Sequence, residues 1–216
     1  MTPVDASKYQ FLTRLSILCV AFIGGFAIMA VELLGGRILS PYFGSSVYVW
    51  GSIITVFMLS LATGYLSGGK LSTRNPNPAV YSGFFLVAAV LLLPVILFAD
   101  PIMDWVFLTI EDPRYGSLTA SIALYFLPTA VLGMISPYSI RLLVRNQDHS
   151  GHIAGQLYFV STMGSALGTL GTSFYFVLWF EVNQILWGII SVLVLSGLWV
   201  LLVNYIPVPA RAAATP

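Results

Sequence analysis

The segment Leu15–Gly36, with the sequence LSILCVAFIGGFAIMAVELLGG, decides the fold, because this largely apolar run of 22 residues contains a single charged residue, Glu32. An α-helix of that length crosses a hydrocarbon core about 30 Å thick. A carboxylate inside such a helix costs ~2.5–3.5 kcal/mol on insertion scales, and intramembrane carboxylates are usually functional. Glu32 is therefore a candidate functional residue, and the structural alternative is an ion pair between two helices.

The composition of the whole chain points to a membrane protein. Charged residues make up 8% of the 216 residues, whereas soluble proteins contain about 25%. Hydrophobic residues reach 58%, and the mean hydropathy is +0.91. The lipid bilayer is the expected partner, and a net charge of +1 indicates no nucleic-acid partner. The single cysteine, Cys19, excludes a disulfide within the chain.

The apolar runs predict an all-α membrane protein with six transmembrane helices. Residues 1–14 are expected to form a cytoplasmic N-terminus, residues 15–206 the transmembrane domain and residues 207–216 a disordered tail. Asp100-Pro101 predicts the start of a separate short amphipathic helix before the fourth span. The expected spans are Leu15–Gly36, Val49–Gly69, Ala79–Ala99, Ser117–Ile140, Ile153–Phe180 and Val182–Ile206.

The basic residues orient these spans. Seven of the nine fall on one side of a six-helix bundle, and only Arg37 and Arg114 fall on the other. By the positive-inside rule, both termini are expected in the cytoplasm. The predicted location is a prokaryotic cell (inner) membrane. The seven residues are Lys8, Arg14, Lys70, Arg74, Arg141, Arg145 and Arg211.

Two features recur in the two halves of the chain. Ser40-Pro41-Tyr42 and Ser136-Pro137-Tyr138 are each expected to close the first helix of a three-helix group. The next helix of each group is rich in glycine, at spacings that allow helix backbones to approach closely. These features predict an inverted 3+3 repeat, the arrangement of half of a major-facilitator transporter. The helix-packing glycines are Gly64, Gly68, Gly164, Gly168 and Gly171.

The same residues resemble a known family. Residues 22–44, FIGGFAIMAVELLGGRILSPYFG, resemble the first helix of the membrane domain in fused major-facilitator/spermidine-synthase-like proteins. Residues 64–74, 132–137 and 155–168 resemble later parts of that domain, so the likeness covers roughly residues 15 to 180. It implies a role with polyamines. It also implies a soluble aminopropyltransferase-like domain, for which this chain shows no glycine-rich, acidic nucleotide site.

No catalytic constellation is apparent, so the sequence predicts no enzyme activity, no cofactor and no metal site. Asp148-His149-x-x-His152 lies in a polar loop and is a weak metal motif. The candidate functional polar residues, placed within the membrane or at its surface, are Glu32, Arg37, Ser40, Ser136 and Arg141.

Two functions stay open at this point. The first is a membrane module that handles a small cationic metabolite such as a polyamine, with Glu32 as its counter-charge. The second is a structural or scaffolding subunit that anchors a soluble enzyme or a larger membrane complex. Either function predicts a homodimer, a separate soluble aminopropyltransferase-like partner or a membrane partner.

Overall fold

The computed structural model describes residues 3–73, 76–144 and 150–205, and every regular element within these residues is helical. A π-helical turn, Thr172–Phe176, joins α6 to α7. The predicted tail, residues 207–216, lies outside the described residues. The helices are α1 (Pro3–Phe43), α2 (Val47–Ser72), α3 (Pro78–Thr109), α4 (Pro113–Gly133), α5 (Ile135–Leu143), α6 (Ser150–Gly171), α7 (Val177–Trp179) and α8 (Val182–Tyr205).

Five helical segments are long and apolar enough to cross a membrane. They are Phe11–Phe43, Val47–Ser72, Pro78–Thr109, Pro113–Leu143 and Val182–Val203. This is an all-helical architecture compatible with an integral membrane protein. The segment predicted as the fifth span is also helical, but α6 is rich in Gly, Ser and Thr and is not among the five.

The prediction of a separate short helix after Asp100-Pro101 is wrong. Helix α3 continues through both Pro94 and Pro101 to Thr109. A proline removes one backbone hydrogen bond and crowds the preceding turn, but packing can offset that loss. Here Met103 and Val106 are fully buried, so the residues beyond Pro101 continue the packed face of α3.

The two Ser-Pro-Tyr motifs occupy different places in their helices. Ser40-Pro41-Tyr42 lies in the last turn of α1, as predicted. Helix α4 instead ends at Gly133, and Ser136-Pro137-Tyr138 lies in the first turn of α5. The prediction that the second motif closes a helix is therefore wrong. A proline is tolerated in a first turn, where its missing N–H has no helical partner.

Helix α1 lies at the centre of the bundle, in contact with all the other long helices. The most extensive helix pairs are α1 with α6 and α2 with α4, followed by α3 with α8. Large apolar side chains fill the space around α1, and the fully buried ones include Leu34, Leu39, Phe57 and Phe85.

Helices α2 and α4 meet at glycines. A Cβ on Gly64 would lie 2.9 Å from the Gly133 Cα, and one on Gly68 would lie 2.7 Å from the Met134 Cα. From the other side, a Cβ on Gly133 would lie 3.0 Å from the Leu61 carbonyl oxygen. Later residues of α2 thus meet later residues of α4, so the two helices run parallel at backbone contact.

Helices α1 and α6 meet in the same way. A Cβ on Gly164 would lie 2.9 Å from the Phe22 carbonyl carbon, and one on Gly168 would lie 2.9 Å from the Phe26 Cα. Gly25 packs against Ser161, whose carbonyl carbon would be 3.1 Å from a Cβ on Gly25. This pair is also parallel.

The two ends of the bundle differ in charge. We call the end where α1 finishes the acidic end, because five acidic residues lie there, whereas Asp5 lies near the start of α1 and Glu32 within it: Asp100, Asp104, Glu111, Asp112 and Glu181. We call the opposite end, which carries Arg14, Lys70 and Arg141, the basic end.

Candidate functional site

Glu32 lies on α1 and is half-buried. One turn further along, a Cβ on Gly35 would lie 3.3 Å from the Tyr125 ring, and one on Gly36 would lie 2.6 Å from the Trp50 ring. The Glu32 carboxylate makes no hydrogen bond and no ion pair with any residue that the structure describes. The alternative of a helix–helix ion pair at Glu32 therefore finds no partner in this part of the chain.

Helix α4 carries two buried hydroxyl groups one turn apart, on Ser121 and Tyr125. Neither hydroxyl has a hydrogen-bond partner among the described residues. Tyr125 also packs on Phe57, with ring centroids 5.7 Å apart. Burying a hydroxyl without a partner costs about 1–3 kcal/mol, so these groups weaken the centre of the fold unless another conformation or a ligand uses them.

The other predicted polar residues do not join Glu32 in one site. Arg37 is exposed at the acidic end. The Ser40 carbonyl accepts a 2.9 Å hydrogen bond from the N–H of Gly44, whose φ of +79° ends α1. Ser136 and Arg141 lie on α5 at the basic end, half-buried and exposed respectively. The length of α1 separates these two groups, so the five residues do not converge.

Four of the five predicted helix-packing glycines lie at a close helix contact, and one does not. Gly64, Gly68, Gly164 and Gly168 lie directly against the backbone of a neighbouring helix. At Gly171 a Cβ would meet its nearest atoms, on Phe176 and Phe26, at 3.7 and 3.8 Å, which are ordinary contact distances. Gly171 therefore does not bring two backbones together.

A cavity of about 340 Å³ opens at the acidic end between α1, α3 and α8. Two carboxylates line it, Asp100 near the end of α3 and Glu181 immediately before α8. Tyr42, in the last turn of α1, also lines it. No basic side chain of the described residues lines this cavity, and its remaining walls are formed by Ile38, Pro41, Val95, Ile96, Ala99, Val182 and Asn183.

The sequence contained a signal for this cavity that the site prediction did not use. Asp100, Asp104, Glu111, Asp112 and Glu181 all fall on one side of the six predicted spans. Asp100 and Glu181 are 81 positions apart in the chain, so only the packing of α3 beside α8 brings them to one cavity.

The described residues contain no group of three side chains suited to hold a metal ion. Asp148 and His149 of the weak metal motif lie outside the described residues, while His152 is exposed in the first turn of α6. The chain matches no family model, no curated protein and no solved structure.

Proposed function

We propose that the chain is a six-span integral membrane module that binds a small cationic metabolite, of the polyamine class, in the cavity at its acidic end. The observation that carries this proposal is a cavity lined by two carboxylates, Asp100 and Glu181, with no basic residue among its described lining residues. An aliphatic polyamine alternates ammonium groups with methylene chains. The carboxylates suit the ammonium groups, and apolar walls such as Val95 and Ile96 suit the methylenes.

The module is proposed to be an inverted 3+3 repeat, and the glycine contacts support this. The contacts of Gly64 and Gly68 with α4 correspond to those of Gly164 and Gly168 with α1. A pseudo-two-fold axis that exchanges α1 with α4 and α2 with α6 relates both sets. The α6 segment is the fifth of the six spans in this arrangement, shielded by its contact with α1.

In the same register Gly25 corresponds to Gly133, and their contact residues Ser161 and Leu61 also correspond. The Ser-Pro-Tyr motif does not follow this register. Met134 corresponds to Phe26, so Ser136 corresponds to Ile28 and not to Ser40. The reciprocal glycines, rather than the repeated motif, support the repeat.

The proposed orientation places the basic end in the cytoplasm of a prokaryotic cell. Arg14, Lys70 and Arg141 lie at that end, and the positive-inside rule retains such residues on the cytoplasmic side. The acidic cavity then opens to the outside of the inner membrane, where it meets external cations.

The test is a binding titration of purified protein with spermidine by calorimetry. We expect Asp100→Asn and Glu181→Gln to weaken binding about tenfold or more each, since a charge-assisted contact is worth about 1.5–3 kcal/mol. Glu111→Gln, an exposed acidic residue at the same end but outside the cavity, is the matched control. Equal affinities for all three variants would reject the cavity as the binding site.

The second function is a non-catalytic scaffold that holds a soluble aminopropyltransferase-like enzyme, a second copy of this chain or another membrane protein. One observation favours it. Among the described residues, the buried polar side chains are serine, threonine and tyrosine hydroxyls and none is charged, so the bundle offers few polar groups for a substrate path. Identification of proteins that co-purify with the chain, combined with absence of spermidine binding, would favour the scaffold.

A further inference from the structure

A second groove lies at the basic end, between α1 and α6, with a volume of about 370 Å³. Its walls are apolar and come from both helices. Two polar residues, Arg14 and Gln156, complete it. The apolar wall residues are Phe11, Leu15, Leu18, Phe159 and Val160.

Arg14 is held in place, and no side chain that the structure describes neutralises its charge. Its guanidinium donates a hydrogen bond to the Gln156 Oε1. Because that oxygen accepts from Arg14, the Gln156 amide nitrogen is free to donate to the His152 Nε2, 2.9 Å away. A guanidinium has five N–H donors, so most remain for another acceptor. Among the side chains that the structure describes, no carboxylate pairs with Arg14 and none lines the groove.

The position of Arg14 matters as much as its charge. It is the last charged residue before the apolar run Leu15–Gly36, so it marks the membrane surface at the basic end. Leu15 and Leu18 follow it toward the membrane interior and line the same groove. A cation at the membrane surface can bind a lipid phosphate, and the apolar part of the groove below it can hold the acyl chain of the same lipid.

We propose that this groove binds an anionic phospholipid, with the headgroup phosphate on Arg14 and one acyl chain against Leu15, Leu18 and Phe159. This inference rests on the membrane insertion proposed above and is independent of the acidic cavity. Val160 borders Ser161, the residue that packs against Gly25, so the lipid lies beside the close contact of α1 with α6. Bound lipid is therefore expected to brace that helix pair.

The test is a titration of the purified protein with phosphatidylglycerol and phosphatidylcholine, followed by native mass spectrometry. Phosphatidylglycerol should bind more tightly, and Arg14→Gln should weaken its binding about fivefold, the contribution of one basic residue near an anionic membrane surface. Arg141→Gln is the matched control, because Arg141 is exposed at the same end but lies outside the groove. It should bind like the wild type.

A second variant tests the acyl chain. Phe159 is 67% exposed, so Phe159→Ser should fold normally yet lose phosphatidylglycerol affinity with Arg14 intact. Spermidine binding, measured in parallel, should be the same in wild type and Arg14→Gln, which separates failure of this site from failure of the acidic cavity. Three results would each overturn the lipid site: equal affinity for the two lipids, equal losses in Arg14→Gln and Arg141→Gln, or displacement of the lipid by equimolar inorganic phosphate.

Discussion

Gly68 of α2 lies against Met134, the residue between α4 and α5, so closely that a Cβ on Gly68 would stand 2.7 Å from the Met134 Cα. At its neighbour Gly69 no atom lies within 4 Å of the same position. Two adjacent glycines of one helix therefore differ only in what they face. Gly68 sets the distance between the two backbones, whereas Gly69 does not.

Gly68→Ala is expected to lower thermal stability in detergent, because overpacking against a rigid backbone costs about 1–3 kcal/mol. Gly69→Ala should be neutral or slightly stabilising, since alanine favours the helix. On α6, Gly164→Ala and Gly155→Ala form the equivalent pair, because Gly155 also faces open space. Thermal unfolding of the four variants checks this. Similar losses at Gly68 and Gly164 would fit the proposed repeat, and no loss at either would remove its main support.

Gly197 of α8 is expected to tolerate substitution better than Gly164. A Cβ on Gly197 would meet the movable Leu86 side chain at 3.0 Å and its nearest backbone atom, the Ser82 carbonyl oxygen, at 3.2 Å, whereas a Cβ on Gly164 would lie 2.9 Å from the Phe22 carbonyl carbon. Gly197→Leu should therefore lower thermal stability less than Gly164→Leu does, measured by unfolding and by size-exclusion profile. The expectation fails if the two variants aggregate to the same extent.

Two buried tyrosines should respond in opposite ways to loss of the hydroxyl. The Tyr138 hydroxyl accepts a 2.8 Å hydrogen bond from the Asn77 backbone N–H, at the start of α3. Tyr138→Phe is therefore expected to destabilise the protein by about 1–3 kcal/mol. Tyr125→Phe removes a buried hydroxyl that has no described partner, so stability should hold or rise. Denaturant or thermal unfolding checks both, and a large loss in Tyr125→Phe would reveal a partner for that hydroxyl.

Glu32→Gln is expected to keep or raise the folded yield, because the carboxylate makes no described ion pair and its charge is costly in an apolar helix. If Glu32 serves as a counter-charge for a cation in another conformation, spermidine affinity or transport should fall while yield holds. Glu32→Ala, which also removes the side-chain volume, is the comparison. A strong drop in yield for Glu32→Gln alone would show that a structural partner exists.

Single cysteines test the proposed orientation. In a Cys19→Ala background, Thr73→Cys at the end of α2 and Thr109→Cys at the end of α3 are both exposed. A membrane-impermeant thiol reagent added to intact cells should label the cysteine at position 109 and spare that at 73. Labelling of both from outside would exclude the arrangement, and the reverse pattern would invert it.

The class of fold could be predicted from the sequence alone, because it depends on local properties. Apolar runs such as Leu15–Gly36 must satisfy their backbone hydrogen bonds internally in a membrane, and a helix does so at any place in the chain. The long helices are accordingly present, as the hydropathy predicts. The prediction of a separate helix after Pro101 was wrong. A proline indicates a helix start from local sequence alone, whereas the burial of Met103 and Val106 depends on neighbouring helices.

The sites depended on the tertiary structure. The Gly-x-x-x-Gly spacing pointed to close packing, but it could not show that Gly64 faces α4, that Gly164 faces α1 or that Gly171 faces neither backbone. Asp100 and Glu181 form one cavity only because α3 packs on α8. Helix formation follows from residues within a few turns of each other, whereas a cavity or a backbone contact follows from which distant helices meet and at what rotation.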